Sequence, residues 1–163
     1  MNFEQGAGIV EARVATEKSD EISSFAILAP QKFYQRHSIP QSAAASCVSL
    51  SDKQILDDAV VASAGLPFAL VQVVNLEALR SAKPDITALE YCNEHYGYPK
   101  EPICIMIYYC SESGVVHARM PGPLAGIYED PATGSAAASL AGLLASRDRR
   151  SYALLKYEIA QDV

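Results

Sequence analysis

Alternating and continuous apolar runs along the chain predict strands joined by turns. Residues 8–14 alternate apolar with charged side chains, which is typical of a strand with one buried face. A polar turn at residues 18–21 separates this run from a second apolar run at residues 24–29, so the two segments predict a hairpin. The stretch that follows, residues 30–46, shows no clear period, and we expect it to be irregular and to contain a crossover between domains.

The middle of the chain predicts strands that alternate with helices. Continuous apolar and β-branched runs indicate buried strands at residues 68–74 and 103–109, and Asn75 and Asp85 are typical N-cap residues for helices that follow them. Gly97 is a typical helix stop. The remaining predicted elements are a short helix at residues 52–56 capped by Ser49 or Ser51, a strand at residues 115–120 and a last strand at residues 152–159.

The most apolar helix is predicted at residues 134–146. Ala136, Leu140, Leu143 and Leu144 follow a helical stripe, and the other faces carry mostly small residues. A helix that is apolar on all sides in a soluble chain is buried, so we expect the rest of the domain to pack around it.

Composition and charge narrow the class of protein. Of the 163 residues, 50% are hydrophobic and 20% are charged, which is an ordinary balance for a globular domain. The net charge of −6 argues against binding to nucleic acid or to anionic membranes. No apolar run reaches the roughly 20 residues that a membrane-spanning helix needs. The composition therefore predicts neither a nucleic-acid partner nor a membrane partner.

The cysteines and the start of the chain bear on compartment and metal binding. Cys47, Cys92, Cys104 and Cys110 lack the close spacing of metal ligands, so no metal site is predicted. The first residues lack the basic start and the apolar core of a signal peptide. We therefore expect buried, reduced thiols in a cytoplasmic protein.

The loop before the apolar helix carries the candidate chemistry. The first backbone N–H groups of a helix have no intrahelical partner and bind anions readily. Gly134 allows a ligand to approach the backbone, Ser135 adds a hydroxyl group, and Asp130 can handle a proton just outside the first turn. The structural alternative is a core helix in which Thr133 or Ser135 is only an N-cap, and Asp130 an Asx-type cap that holds the loop.

The same loop resembles a known signature. Glu129 and the run Asp-Pro-Ala-Thr-Gly-Ser-Ala at residues 130–136, with Arg119 and Met120 upstream, resemble the PhzF-like family, relatives of the phenazine-biosynthesis isomerase. The resemblance implies the diaminopimelate-epimerase fold: two similar domains, each a curved sheet around one apolar helix, with the active site between them. We therefore expect an α+β protein with an incomplete epimerase-like fold, a curved mixed sheet wrapped around the helix at 134–146.

The resemblance also predicts a domain organisation. The chain corresponds to the middle half of a family member, so we expect a truncated protein. Residues 1–37 would be a remnant of the N-terminal domain, a hairpin and a crossover, and residues 38–163 most of the C-terminal domain. Missing neighbours would leave sheet edges and apolar surface exposed, and we expect a homo-oligomer that covers them.

The family implies cofactor-free, acid–base proton transfer on a small carboxylate-bearing metabolite. In this reading Asp130 is the catalytic residue, and Thr133, Gly134, Ser135 and Arg119 bind the substrate. For Arg119 the favoured alternative is a structural ion pair with Glu129 or Asp130. Residues 63–67 resemble a family segment that approaches the cleft, and they read equally well as an ordinary turn.

The departures from the family leave open whether this chain is an enzyme. The family's catalytic glutamate and its Gly-His-Pro segment have no counterpart here, and a proton shift needs one group to remove and another to deliver. We therefore expect little or no activity from the chain alone, with a complementing N-terminal half as a partner. The paired cysteines of related racemases are also absent, which disfavours thiol chemistry. The alternative is a non-catalytic remnant, or an oligomeric binding or structural module.

Overall fold

The structure, a computed structural model, describes residues 2–5, 8–16, 22–97, 102–149 and 154–161. The strands in this part of the chain are β1 (Asn2–Gln5), β2 (Gly8–Thr16), β3 (Ile22–Leu28), β4 (Tyr34–Ile39), β5 (Ala59–Ser63), β6 (Pro67–Gln72), β7 (Cys104–Cys110), β8 (Val115–Arg119) and β9 (Glu158–Ala160). The helices are α1 (Gln41–Cys47), α2 (Leu76–Ser81), α3 (Ile86–Tyr96) and α4 (Gly134–Arg147), with single 3₁₀ turns at Asp52–Gln54 and Pro123–Ala125.

The strands form two sheets. The first is an antiparallel sheet in the order β1-β2-β3, and its β2–β3 pairing confirms the predicted hairpin. The predicted turn at residues 18–21 lies outside the described residues. The second is a six-stranded mixed sheet in the order β4-β5-β6-β7-β8-β9, in which β6–β7 and β8–β9 are parallel. The domain boundary expected at residue 37 lies within β4, and the division into domains stays a prediction.

The central strands of the six-stranded sheet are buried on both faces. Every residue of β5 is buried, and alternate residues along it enter two different hydrophobic clusters. Val61 of β5 and Val71 of β6 belong to one cluster, whereas Val60 and Leu70 belong to the other. Burial on both faces explains why these strands read as continuous apolar runs rather than as alternating ones.

Helices cover both faces of this sheet. Side chains of α1, α2 and α3, such as Leu79 and Leu89, complete the first cluster. The predicted helix at residues 134–146 is present as α4, and its Ala136, Leu140 and Leu143 complete the second cluster. The expected picture of a sheet around one helix is therefore too simple, because three shorter helices lie on the opposite face.

Residues 30–46 are not irregular, which corrects the sequence-based expectation. They form β4, which pairs with β5, and most of α1. Both elements lack a strong hydrophobic period, because β4 is an edge strand in which only Ile39 is fully buried. Phe33, just before β4, packs on α4: a Cβ atom built at Gly142 would lie 2.9 Å from the Cβ of Phe33 and closer still to its ring.

The predicted helix caps are confirmed, and two strands differ from expectation. Asn75 Oδ1 accepts from the N–H of Ala78 at 2.8 Å, and Asp85 Oδ1 accepts from the N–H of Ala88 at 2.9 Å, so these residues cap α2 and α3. The sequence reading missed β5, and of the strand expected at residues 152–159 the described part contains only β9. None of the helices in the described ranges has the length and apolarity needed to cross a membrane.

Candidate functional site

Asp130 lies in the loop between β8 and α4, within a tight turn. Its Oδ1 accepts a hydrogen bond from the N–H of Ala132 at 3.3 Å, and its Oδ2 accepts one from the hydroxyl of Thr133 at 2.8 Å. Its own N–H donates to the carbonyl of Met120 at 3.0 Å, which closes the loop that begins after β8. These contacts are those of the Asx-type turn that was the structural alternative. Both carboxylate oxygens retain lone pairs, so the turn leaves room for proton chemistry.

The first turn of α4 presents backbone donors to solvent. Thr133 precedes the helix, but its hydroxyl points to Asp130 and makes no cap to the helix N–H groups. No group in the described part of the chain accepts a hydrogen bond from the N–H groups of Gly134 or Ser135, and both residues are exposed. None of the described residues beyond its chain neighbours lies within 4 Å of a Cβ atom built on Gly134. An anion can therefore approach these donors without displacing a protein group.

A buried hydroxyl connects this turn to the sheet. Ser139 is fully buried, and its Oγ donates to the carbonyl of Ser135 at 3.0 Å and accepts from the N–H of Ala64 at 3.1 Å. The turn between β5 and β6, at residues 63–67, therefore lies against the start of α4. This is the segment that resembled a cleft-lining segment of the family.

Arg119, at the end of β8, forms an ion pair with Glu129. Its Nε and Nη2 donate to the two carboxylate oxygens of Glu129, each at 2.7 Å, in a bidentate arrangement. This pairing raises the pKa of Arg119. Its Nη1 donates to carbonyls at the end of α2, those of Leu79 at 2.9 Å and Ala82 at 3.0 Å among them. These contacts are those of the structural ion pair, and they place the Arg119 side chain between Glu129 and the end of α2.

Gln161 was not identified from the sequence, although it touches the loop directly. Its Nε2 donates to the carbonyl of Asp130 at 2.6 Å and to Thr133 Oγ1 at 3.0 Å, and its Oε1 accepts from the N–H of Thr133 at 3.0 Å. Gln161 follows β9, 28 residues after Thr133. No local sequence pattern marks Gln161, because its position depends on the parallel pairing of β9 with β8, which brings the two chain segments together.

The described residues do not assemble a metal centre. No three His, Cys, Asp or Glu side chains in these ranges lie close enough to hold a metal ion. The four cysteines are free, and Cys47 and Cys92 are buried. Burial raises the pKa of the Cys104 thiol, which keeps it protonated and unreactive.

The loop between Met120 and Asp130 carries an exposed apolar tip. Leu124 and Ile127 are about half exposed, at 44% and 45%, and Tyr128 is 86% exposed. Gly126 adopts a left-handed conformation with φ of 74° at the tip, and the N–H of Ile127 donates to the carbonyl of Gly122 at 3.0 Å. An apolar surface is therefore available two residues before Asp130.

Comparison with known proteins identifies the family and the fold of this chain. The family model described as phenazine biosynthesis-like protein, PhzC-PhzF, matches residues 1–161. The expectation of a match to only the middle half of a family member is not borne out, since the match extends over nearly the whole chain. A comparison with curated proteins gives no match.

Solved structures share the fold at low sequence identity. The chain is 19% identical to a phenazine biosynthesis protein of the PhzF family from Bacillus anthracis, with a TM-score of 0.74, covering 99% of this chain and 55% of that one. A predicted epimerase from Pseudomonas aeruginosa gives 22% identity, a TM-score of 0.57, and coverage of 89% and 44%. A PhzF-family protein from Enterococcus faecalis gives 18% identity and a TM-score of 0.53, and the match covers 90% of this chain and 48% of that one. The chain spans about half the length of these structures.

Proposed function

The chain belongs to the family of phenazine biosynthesis-like proteins, and on that premise we propose that it serves cofactor-free, acid–base proton transfer on a small metabolite that carries a carboxylate. One observation carries the proposal: a half-buried carboxyl group, that of Asp130, lies four and five residues before Gly134 and Ser135, two exposed backbone donors that have no acceptor in the described part of the chain. One short loop thus combines a group that can move a proton with a group that can hold an anion.

Each residue of the loop has a distinct proposed role. The N–H groups of Gly134 and Ser135 bind the substrate carboxylate, helped by the dipole of α4. Asp130 donates or accepts the transferred proton. Thr133 is only 8% exposed, and its N–H and hydroxyl groups are engaged by Gln161 and Asp130, so it contributes by orienting its neighbours. Arg119 contributes by fixing Glu129 and thereby the loop.

The reaction needs a second proton-handling group. Glu129, the carboxylate nearest to Asp130 in sequence, is bound by Arg119 in a bidentate ion pair and is therefore a poor candidate. Because the chain spans about half the length of the solved relatives, we propose that a complementing segment supplies the second group. The isolated chain would then bind carboxylates but turn them over slowly or not at all.

Acetate binding tests the proposed anion site directly. We expect sodium acetate to shift the amide ¹H–¹⁵N NMR signals of Gly134 and Ser135 in a saturable manner, whereas neutral acetamide leaves them in place. Asp130→Asn keeps an oxygen that can accept from the N–H of Ala132 but removes a negative charge, so acetate should bind at least as tightly as to the wild type. Asp57→Asn is the matched control, because Asp57 is exposed and lies near Arg147, at the opposite end of α4 from Gly134.

Loss of turnover in Asp130→Asn is the catalytic part of the same test. In a complemented enzyme we expect exchange of solvent deuterium into small carboxylic acids to fall by about 10²-fold or more. The proposal would be wrong if acetamide shifted the amides as acetate does. Unchanged deuterium exchange in Asp130→Asn would remove Asp130 from the mechanism.

A non-catalytic role is the second candidate. The apolar tip with Leu124, Ile127 and Tyr128 and the open sheet edges favour a binding or structural module that assembles with itself. This alternative predicts no deuterium exchange with any complementing segment. It also predicts an assembly whose mass is indifferent to acetate.

A further inference from the structure

Gln161 joins the two halves of the candidate site through one side-chain amide. The amide makes three hydrogen bonds of 2.6 to 3.0 Å, one to the carbonyl of Asp130 and two to Thr133. We propose that Gln161 is the positioning residue of this site, fixing the Asp130 carboxyl group relative to the first turn of α4. The expected effect of Gln161 on anion binding rests on the proposed function. The positioning of Asp130 by Gln161 can be tested independently of it.

The donor end of the amide orients the Asp130 carboxyl group. The Nε2 group of Gln161 donates to Thr133 Oγ1 at 3.0 Å, so the single hydroxyl proton of Thr133 is free to point to Asp130 Oδ2 at 2.8 Å. The result is a directed chain of hydrogen bonds from Gln161 through Thr133 to Asp130. Oδ2 holds the short hydrogen bond and Oδ1 only a long one of 3.3 Å, so Oδ1 is the more available of the two oxygens for contact with a ligand.

The acceptor end of the amide sets where the anion site begins. Oε1 of Gln161 accepts the N–H of Thr133 at 3.0 Å, so this donor is unavailable to a ligand. The next two N–H groups along the chain, those of Gly134 and Ser135, are then the first ones without an acceptor in the described ranges. Gln161 therefore defines both which N–H group begins the anion site and how the Asp130 carboxyl group is oriented.

The sheet holds Gln161 in place. β9 pairs in parallel with β8, and Ala160 lies opposite His117 in this pairing. Arg119, two residues further along β8, holds Glu129 at the other end of the same loop. Residues at the ends of two neighbouring strands thus hold the loop on both sides of Asp130, and the Gln161 side chain hydrogen-bonds to the backbone of both Asp130 and Thr133.

The test uses volume-conserving variants in the chain as it exists. Gln161→Met removes all three hydrogen bonds at similar volume. Gln161→Glu keeps an oxygen for the N–H of Thr133 and removes the Nε2 donor. Gln54→Met is the matched control, because Gln54 accepts hydrogen bonds from Ser51 in a 3₁₀ turn before β5. The measurements are hydrogen exchange at the Thr133 amide, the ¹³C signal of the Asp130 carboxyl group, and acetate affinity from the amides of Gly134 and Ser135.

We expect Gln161→Met to speed exchange at Thr133 by about tenfold or more, to shift the Asp130 carboxyl signal and to weaken acetate binding by about tenfold. Gln161→Glu should keep the protection of Thr133 while shifting the Asp130 signal, and it decides the matter if the Met variant does not fold. Gln54→Met should change none of the three. The thermal midpoint reports structure only, and does not decide the assignment.

The outcomes separate this inference from the proposed function. If the wild type binds acetate and Gln161→Met behaves like the wild type in all three measurements, the positioning role is overturned while the anion site stands. If the wild type does not bind acetate, the anion site is lost, but the Thr133 exchange and the Asp130 signal still decide the role of Gln161.

Discussion

At the scale of single residues, Tyr108 couples stability to pH. Its side chain is 1% exposed, and its hydroxyl donates to Gln72 Oε1 at 3.1 Å. Burial raises the pKa of Tyr108 from 10.0 to about 12, against a smaller opposing effect of Arg147. The neutral form is therefore favoured in the folded state. This stabilisation is complete below pH 10.0 and is lost as pH rises from there through about 12, because the unfolded chain ionises first.

Tyr108→Phe tests this coupling. We expect the variant to be less stable than the wild type by about 1 kcal/mol near neutral pH, through the lost hydrogen bond. The difference should shrink by about 1 kcal/mol at about pH 11, because phenylalanine cannot ionise in the unfolded chain. Urea unfolding at the two pH values measures it. Tyr128→Phe, at a side chain that is 86% exposed, is the control, and parallel pH profiles for wild type and Tyr108→Phe would contradict the prediction.

Sequence reasoning at the residue scale worked where partners are close along the chain. The loop that contains Asp130 and Thr133 was singled out from one contiguous motif, and the Arg119–Glu129 pair spans only ten residues. Gln161 could not be found in this way. Its position depends on the pairing of β9 with β8, and no local pattern near Gln161 indicates which loop its side chain reaches.

At the scale of elements, replacing either of two glycines of α4 by alanine should have opposite effects on the stability of the fold. A Cβ atom at Gly142 would overlap Phe33, so Gly142→Ala should destabilise the fold by about 1–3 kcal/mol despite the better helix propensity of alanine. A Cβ atom at Gly134 meets no atom of the described part of the chain within 4 Å, so Gly134→Ala should be neutral or stabilising by up to about 1 kcal/mol. Urea unfolding of both variants gives the comparison. Equal effects would show that Phe33 does not pack on α4.

Element prediction succeeded where a local signal marks each end. α2 and α3 were placed from their cap residues, Asn75 and Asp85, and the β2–β3 hairpin from its polar turn. α1 has no such signal, because it begins after Pro40 without a side-chain cap and consists mostly of alanine and serine. With seven residues α1 is too short to be stable in isolation even with three alanines, so packing against α3 accounts for it.

At the scale of the whole molecule, the open sheet edges predict self-association. In the described sheets β1, β3, β4 and β9 each pair on one side only, and Leu28 on β3 is 64% exposed. Unpaired edge strands with exposed apolar residues invite pairing with another chain. We therefore propose a homo-oligomer, with a native mass at least twice 17.5 kDa.

Native mass spectrometry and light scattering measure this directly. Leu28→Lys should shift the population toward monomer, because a charge on the edge strand opposes edge-to-edge pairing. Glu77→Lys, on an exposed position of α2, changes charge away from the edges and is the control. A wild-type mass of 17.5 kDa at about 100 μM would contradict the proposal.

The loop from Met120 to Asp130 has a fixed base and a free tip. Its base is closed by the hydrogen bond from Asp130 to Met120 and by the Arg119–Glu129 ion pair, whereas Leu124 and Tyr128 project at the tip. The entropic cost of closing a loop grows slowly with its length, so we expect insertions at the tip to leave the structure of the base unchanged. Mutations and insertions at the tip can therefore change the exposed apolar surface while the geometry around Asp130 at the base is preserved.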